Sequence, residues 1–252
     1  MQDAHQAPPS YTRLSIDTRD FRSASAAALF QGLGVLHVQN AIPLETLAAI
    51  KAEILDGLAW LENQVGERVP YITVMRSEFD PAMRTTYERL VMLLNEVLSP
   101  QFPYRDSIAA AAGCSEIQYI MAYAREARND GGASAHVGFH QDYPTFNKVS
   151  NIQDHFKPKR TVTCWIPLDD IDDETPSIEY LPAWLNQELP SNAQGTLDLE
   201  VFGETLDRLP HWVPPVQLGD FIIHDQFTLH RSHVTPKRTK QRRSFELRFV
   251  MR

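Results

Sequence analysis

The stretch Val137-Gly138-Phe139-His140-Gln141-Asp142-Tyr143-Pro144 sets the reading of the whole chain. Side chains alternate along an extended segment, so His140 and Asp142 fall on the same face. One imidazole and one carboxylate could then grip a single cation. Read as an ordinary surface contact, the pair is an Asp accepting a hydrogen bond from a His, and on these two residues alone both readings stand. A third residue in a matching setting further on, His230 or His224, favours the ligand reading. Two His and one carboxylate on one side of an octahedral ion leave three positions open, the arrangement expected of non-haem Fe(II) oxygenases.

The rest of the composition narrows the class. With 252 residues, 43% of them hydrophobic and 22% charged, the chain has the material for one substantial core, and β-sandwiches and barrels of this length are often one domain. A single domain over 1–252 is expected, with 1–12 as a flexible tail. The formal charge of −8 argues against nucleic acid as a partner, because neutralising phosphates needs a basic surface. A small molecule is the expected substrate. Cys114 and Cys164 lie fifty residues apart without C-x-x-C spacing, which suggests neither a zinc knuckle nor a disulfide framework and fits a reducing cytoplasm. No stretch approaches the roughly 18 apolar residues of a membrane span, and the amino-terminal segment has no apolar h-region. A soluble, unexported monomer or homodimer is expected.

Hydrophobic periodicity divides the chain. A short Ala-rich helix over 23–30 is stopped by Gly32 and Gly34, and Val35-Leu36-His37-Val38-Gln39 follows as a strand. Leu44, Leu47, Ile50, Ile54, Leu58 and Leu61 recur at helical steps and mark an amphipathic helix covering a sheet. Asp80-Pro81 reads as the start of a second long helix. From about residue 115 the period becomes two. Residues 116–124 alternate, with Ile117, Tyr119, Met121 and Tyr123 on one face and Gln118, Ile120, Ala122 and Ala124 on the other. A polar loop over 125–135 leads into the His140 strand. Strands are expected over 160–168, 177–181, 221–225, 228–230 and 243–250, with a solvated acidic turn over 169–174 and an irregular stretch over 186–209. Helices first and many short strands later predict a mainly β, α+β protein: a jelly roll covered on one side by amino-terminal helices.

The run Gly219-Asp220-Phe221-Ile222-Ile223-His224-Asp225-Gln226-Phe227-Thr228-Leu229-His230-Arg231-Ser232, taken with the His-x-Asp, resembles the Fe(II)/2-oxoglutarate-dependent dioxygenases of the phytanoyl-CoA dioxygenase-like branch. The resemblance extends from 34–43 to the closing strand near 242–249. It implies a double-stranded β-helix, Fe(II) as cofactor, and 2-oxoglutarate and O2 as cosubstrates. The family's distal ligand lies eleven residues after the Gly, which selects His230 and leaves His224 as a buried histidine with a hydrogen-bond partner. His136, His155, His211 and His233 read as surface or capping residues, and the cysteines as small hydrophobes.

The resemblance also implies an arginine about a dozen residues past the distal His, to clasp the far carboxylate of 2-oxoglutarate. A guanidinium suits this because its planar fork matches a carboxylate and stays charged. Arg242 and Arg243 both qualify. Arg243 shares its side with Phe245, Leu247 and Phe249, which should face the helices, whereas Arg242 shares the polar side with Ser244 and Glu246, so Arg242 is the choice. Ser232, Gln118 and Thr163 are further cosubstrate candidates by resemblance, and Tyr143 and Phe146 candidate pocket walls.

Departures matter too. Around Thr175-Pro176-Ser177-Ile178-Glu179-Tyr180 the chain lacks the Asn-Gly-Pro-Leu and Pro-Gly-Ser-His features of many relatives, and nothing supports a CoA thioester as substrate. Asp142 stands where related halogenases carry a small residue, which argues against halogenation. Hydroxylation of an unactivated C–H with release of succinate and CO2 is the expected outcome, and 125–135 and 186–215 are candidate lids. The competing readings are a cupin-like metal-dependent isomerase or hydrolase, which would have no use for Arg242 at the metal, and a non-catalytic jelly roll that binds a small molecule.

Overall fold

A computed structural model describes residues 11–65, 104–127, 137–143, 160–183, 185–192 and 195–252. The expected helix from Asp80, the loop over 128–135, Pro144, Phe146, His136, His155 and the tail over 1–10 lie outside them. The tail does not extend to residue 12, because Tyr11–Leu14 is a 3-10 helix that buries Leu14 and sets the Tyr11 ring 6.4 Å from Trp212.

Among the described residues, eight strands form two sheets. They are β1 (Ser15–Asp17), β2 (Val35–Gln39), β3 (Ile117–Ala127), β4 (Thr161–Pro167), β5 (Ser177–Leu181), β6 (Phe221–Asp225), β7 (Leu229–His233) and β8 (Arg242–Met251). The larger sheet runs β1-β2-β6-β4-β8-β3, and β5 pairs with β7 in the smaller. All the ladders are antiparallel except β1·β2. This is the mainly β, helix-covered fold that the change of period implies.

Period-two alternation assigns the two faces of the large sheet. Val162, Cys164, Ile166, Phe221, Ile223, Phe245, Leu247 and Phe249 join one core with Phe30 of α1 (Ala24–Leu33), Ile50 and Ile54 of α2 (Leu44–Val65) and Ile108 of α3 (Arg105–Ala112). The opposite face carries Val35, Trp165 and Ile222, which pack with Ile178 and Tyr180 of the small sheet and with Trp212. Beneath the small sheet's other face, Leu181 and Leu229 pack against Phe139 and against Leu206 of α4 (Leu199–Arg208). The region between the sheets is therefore half apolar, half available for polar chemistry.

Several local expectations are corrected. Gly32 lies inside α1, and Gly34 ends the helix with φ 74°, its amide donating to Phe30 O. A Cβ there would stand 2.5 Å from Thr228 Oγ1, whose hydroxyl donates to Gly34 O, so glycine is required both for the turn and for the approach. A register shift between Tyr119 and Met121 breaks the alternation expected over 116–124. Gln118 pairs with Val250 before it, but Met121, Tyr123 and Arg125 pair with Arg248, Glu246 and Ser244 after it. A bulge of this kind adds one residue and so reverses the faces of the remainder of the strand. Arg125 to Ala127 end β3 rather than starting a loop. The stretch over 186–209 is not wholly irregular, because α4 occupies part of it. Asp169 is not a solvated turn residue: it takes two hydrogen bonds from the Arg243 guanidinium at 2.8 Å and one from Lys51 of α2 at 2.6 Å, which clamps β8 to the helix layer.

The Gly-Asp turn is built around a buried carboxylate. Asp220 accepts from the Asn40 and Gln217 amides, both at 2.9 Å, and from His37 Nε2 at 2.8 Å, while His37 Nδ1 meets Ser15 Oγ. This network pins the entry of β6 to β1 and β2 and so fixes the strand that carries His224.

Candidate active site

His140 is not in a strand, as the sequence suggested, but forms an isolated bridge with His230. Its amide donates to His230 O at 3.0 Å and its carbonyl accepts the return bond at 3.1 Å, which sets the two imidazole centroids 4.1 Å apart. Two residues on, Asp142 lies in a bend over the large sheet, and the next amide, Tyr143, bonds O of Gln226, just past β6, at 3.1 Å. His140, Asp142 and His230 thereby bring one ligand atom each within 4.8 Å of one another. His230 Nε2 stands 3.9 Å from Asp142 Oδ1.

Both histidines are held in the same way. His140 Nδ1 bonds Gly138 O and His230 Nδ1 bonds Thr228 O, each at 2.9 Å and each two residues back. A backbone carbonyl accepts only, so Nδ1 carries the proton and Nε2 presents its lone pair. Burial, reinforced at His230 by the neighbouring His140 and His224, lowers both imidazoles, so they stay neutral and able to ligate.

Asp142 rests on one row of side chains. In register, His224 of β6, Thr163 of β4 and Arg248 of β8 are Cα partners across three neighbouring strands. Strands stand about 4.8 Å apart, so same-face residues on one rung reach a common group. Thr163 Oγ1 donates to Asp142 Oδ2 at 2.7 Å, His224 Nε2 meets the same oxygen at 3.2 Å, and Arg248 Nη2 donates to Oδ1 at 2.9 Å. Burial alone would raise the Asp142 carboxyl, but Arg248, the His224 hydrogen bond and His230 outweigh it and hold it well below the usual carboxylate range. His224 is held in turn by the Tyr180 hydroxyl, 3.1 Å from Nδ1.

The Arg242 guanidinium lies 5.1 Å over the Trp165 ring, on the same face as that row. It is 4% exposed, its Nη1 donates to Ser244 Oγ at 3.3 Å, and its Nε is buried and unbonded. Among the described residues no carboxylate forms an ion pair with it. Burial lowers it to about 10, which leaves it charged at neutral pH. A buried cation without a counter-ion is costly unless a ligand supplies one. Arg243 points the other way, to Asp169 and the helices.

A family model for phytanoyl-CoA dioxygenase (PhyH) matches residues 30–245. The chain belongs to this family. No curated protein matches the sequence. The fold is shared with solved structures. The non-heme alpha ketoglutarate dependent carbocyclase SnoK from nogalamycin biosynthesis aligns over 91% of this chain and 84% of its own, with 16% identity and a TM-score of 0.62. EctD from S. alaskensis, solved with 2-oxoglutarate and 5-hydroxyectoine, aligns over 98% and 82%, with 15% identity and a TM-score of 0.62. AviO1 from Streptomyces viridochromogenes Tue57 aligns over 90% and 94%, with 17% identity and a TM-score of 0.58.

The other family-derived positions are placed as follows. Ser232 Oγ accepts the Val137 amide at 3.2 Å and latches the segment that enters His140. Thr163 supports the Asp142 carboxylate. Gln118 lies opposite Val250, eight residues along β8 from Arg242, and its amide oxygen accepts from Arg252. The Tyr143 ring lies 4.9 Å from that of Phe227, tilted by 38°.

Sequence reasoning missed Arg248 and the supporting role of His224, although β8 carries a readable signal: Arg242, Ser244, Glu246 and Arg248 form its polar stripe. It also missed Gln141, which is buried between the two motif residues. The Gln141 amide donates to Phe227 O and Gln187 O at 2.8 and 3.1 Å and accepts from the Leu189 amide at 2.7 Å. His211 and His233 are not plain surface histidines. With Arg231 they converge on the buried Glu179, and His211 Nε2 also reaches Leu206 O in the last turn of α4.

Proposed function

We propose that this protein is a non-haem iron, 2-oxoglutarate-dependent oxygenase that hydroxylates an unactivated C–H of a small molecule. The observation that carries the reading is the convergence of His140, Asp142 and His230, together with a buried guanidinium, Arg242, on the same face of the large sheet as the row behind Asp142, that has no carboxylate of its own among the described residues. Two imidazole nitrogens and one carboxylate oxygen are a donor set that suits ferrous iron and leaves positions for other ligands. Within this family, that set with a nearby cation fits iron together with the dianion 2-oxoglutarate.

His140 Nε2, Asp142 Oδ1 and His230 Nε2 would hold the iron, and Arg242 the far carboxylate of 2-oxoglutarate. When bound, the metal and cosubstrate supply the oxidising chemistry, in which dioxygen gives one oxygen atom to the substrate carbon and one to succinate, with loss of CO2. The chain itself does the positioning. Gly138 O and Thr228 O orient the imidazoles, the row of His224, Thr163 and Arg248 fixes the carboxylate, and Trp165 backs Arg242. Loss of a hydrogen-bonding partner such as Thr163 typically costs about ten- to a hundredfold in metal affinity. Gln141 ties the 187–189 segment and the Phe227 turn to the segment that carries His140 and Asp142.

The test is to mix protein, Fe(II), 2-oxoglutarate and oxygen and monitor succinate. Release that depends on all three additions and is lost in His140→Ala and His230→Ala supports the reading, and release undiminished by either substitution refutes it. Among the solved relatives one is named a carbocyclase and another an epimerase. Ring closure or epimerisation would use the same residues, and product mass separates them, because only hydroxylation adds an oxygen.

A further inference from the structure

The charges around Asp142 exceed what holding a ligand requires. Oδ2 already has two partners, Thr163 and His224, and these fix the plane and rotamer of the carboxylate. Arg248 takes the other oxygen, Oδ1, the one that faces His230 Nε2. The same Nη2 lies 3.2 Å from Glu246 Oε2, and Glu246 Oε1 pairs with Arg125 Nε at 2.7 Å. Arg248 is 1% exposed, so water screens none of this.

A cation seated among the three ligand residues therefore shares its carboxylate oxygen with a buried guanidinium. We propose that Arg248 is a charge gate on the metal site: it weakens binding of a bare divalent cation and makes tight binding depend on an anionic co-ligand, the dianion 2-oxoglutarate, whose charge offsets both cations. The inference rests on the metal-site reading and assigns a role to a residue outside the ligand set. Arg248 acts through Asp142 and so is a positioning residue. The physical basis is that two like charges on one buried oxygen repel strongly, and a third, negative group relieves them. Glu246 moderates the gate, because it draws off part of the Arg248 charge.

A purely structural role for this cluster would make every substitution in it loosen the site. The gate instead predicts changes of opposite sign. The probe is Mn(II), which occupies oxygen and nitrogen sites more weakly than Fe(II) and so reports affinity changes readily. Its dissociation constant is measured by calorimetry or by the loss of free Mn(II) spin signal, on folded full-length protein. Arg248→Gln should bind Mn(II) about tenfold more tightly than wild type, opposite in sign to the loss of similar size that removing an outer partner ordinarily produces. Saturating 2-oxoglutarate should shrink that advantage. Glu246→Gln should bind Mn(II) more weakly, and Arg248→Lys, which keeps the charge, should stay near wild type. If Arg248→Gln does not fold, Glu246→Gln decides by its response to cosubstrate: the gate predicts that 2-oxoglutarate tightens its Mn(II) binding by a larger factor than in wild type, and an equal or smaller factor overturns the gate. Unchanged or weaker binding in Arg248→Gln, or tighter binding in Glu246→Gln, overturns the gate and leaves the metal-site reading intact. Failure of the wild type to bind Mn(II), with or without 2-oxoglutarate, overturns both.

Discussion

Replacing Thr163 with Val removes one hydroxyl and keeps the branched shape of a buried strand residue. The hydroxyl donates to Asp142 Oδ2 at 2.7 Å in a site where both residues are buried. A hydrogen bond to a charged acceptor is worth about 1.5–3 kcal/mol. If that energy holds the carboxylate in its ligating rotamer, losing it weakens the metal by the same amount, and about 1.4 kcal/mol corresponds to a tenfold change. Metal affinity should therefore fall by roughly ten- to a hundredfold, which agrees with the effect of removing outer partners of metal ligands elsewhere. His224 and Arg248 remain on Asp142, so the loss is partial. The assay is Fe(II) titration under anaerobic conditions of wild type, Thr163→Val and Thr163→Ser, each checked for an intact fold. Thr163→Ser keeps the donor and should bind nearly as well as wild type. Equal Fe(II) affinity in all three proteins would refute the idea that the His224-Thr163-Arg248 row orients the ligand.

Arg242→Met should raise the 2-oxoglutarate concentration needed for succinate release by more than about a hundredfold, because a buried ion pair broken from one side costs about 3–5 kcal/mol, while Fe(II) affinity without cosubstrate changes little. Glu179→Gln tests the cluster under α4. Burial would raise the Glu179 carboxyl, but hydrogen bonds from His233, Arg231 and His211 hold it below its ordinary value. A carboxylate lowered by folding adds stability that is fully present above its unfolded value of about 4.3 and is lost as pH falls through the folded one. Thermal melts should show wild type well above Glu179→Gln at pH 7, with the gap closing below about pH 4. Ile223→Ala, in the helix-side core, should cost about 2–5 kcal/mol in denaturant unfolding.

Much of this was legible in the chain. The switch of period near residue 115 marks where helices give way to strands, and the alternation along Arg242-Arg243-Ser244-Phe245 separates a guanidinium facing the site from one clamped to Asp169. His-x-Asp needed His230 to mean anything, and the bridge between them is a non-local pairing that no local pattern shows. The bulge after Tyr119 was hidden for the same reason, since one extra residue in a ladder is decided by the partner strand. α4 was missed because its Leu206 packs with Phe139, Leu197 and the outer face of the small sheet, and that face cannot be seen until β5 and β7 pair. The row on Asp142 depends on the register of three strands widely separated in sequence, yet each member lies on the inward parity of its own strand. Polar residues at inward positions of apolar strands, such as His224 in Phe221–Asp225 and Thr163 in Thr161–Pro167, are the signal to look for.

The most direct measurement is anaerobic binding of Fe(II) to the intact protein and to His140→Ala, Asp142→Ala and His230→Ala, each shown to be folded. One Fe(II) per chain in wild type, lost in all three variants, is the predicted result. An Fe(II) affinity that survives His230→Ala unchanged would mean that His140, Asp142 and His230 do not share a metal, and the oxygenase reading would fall with it.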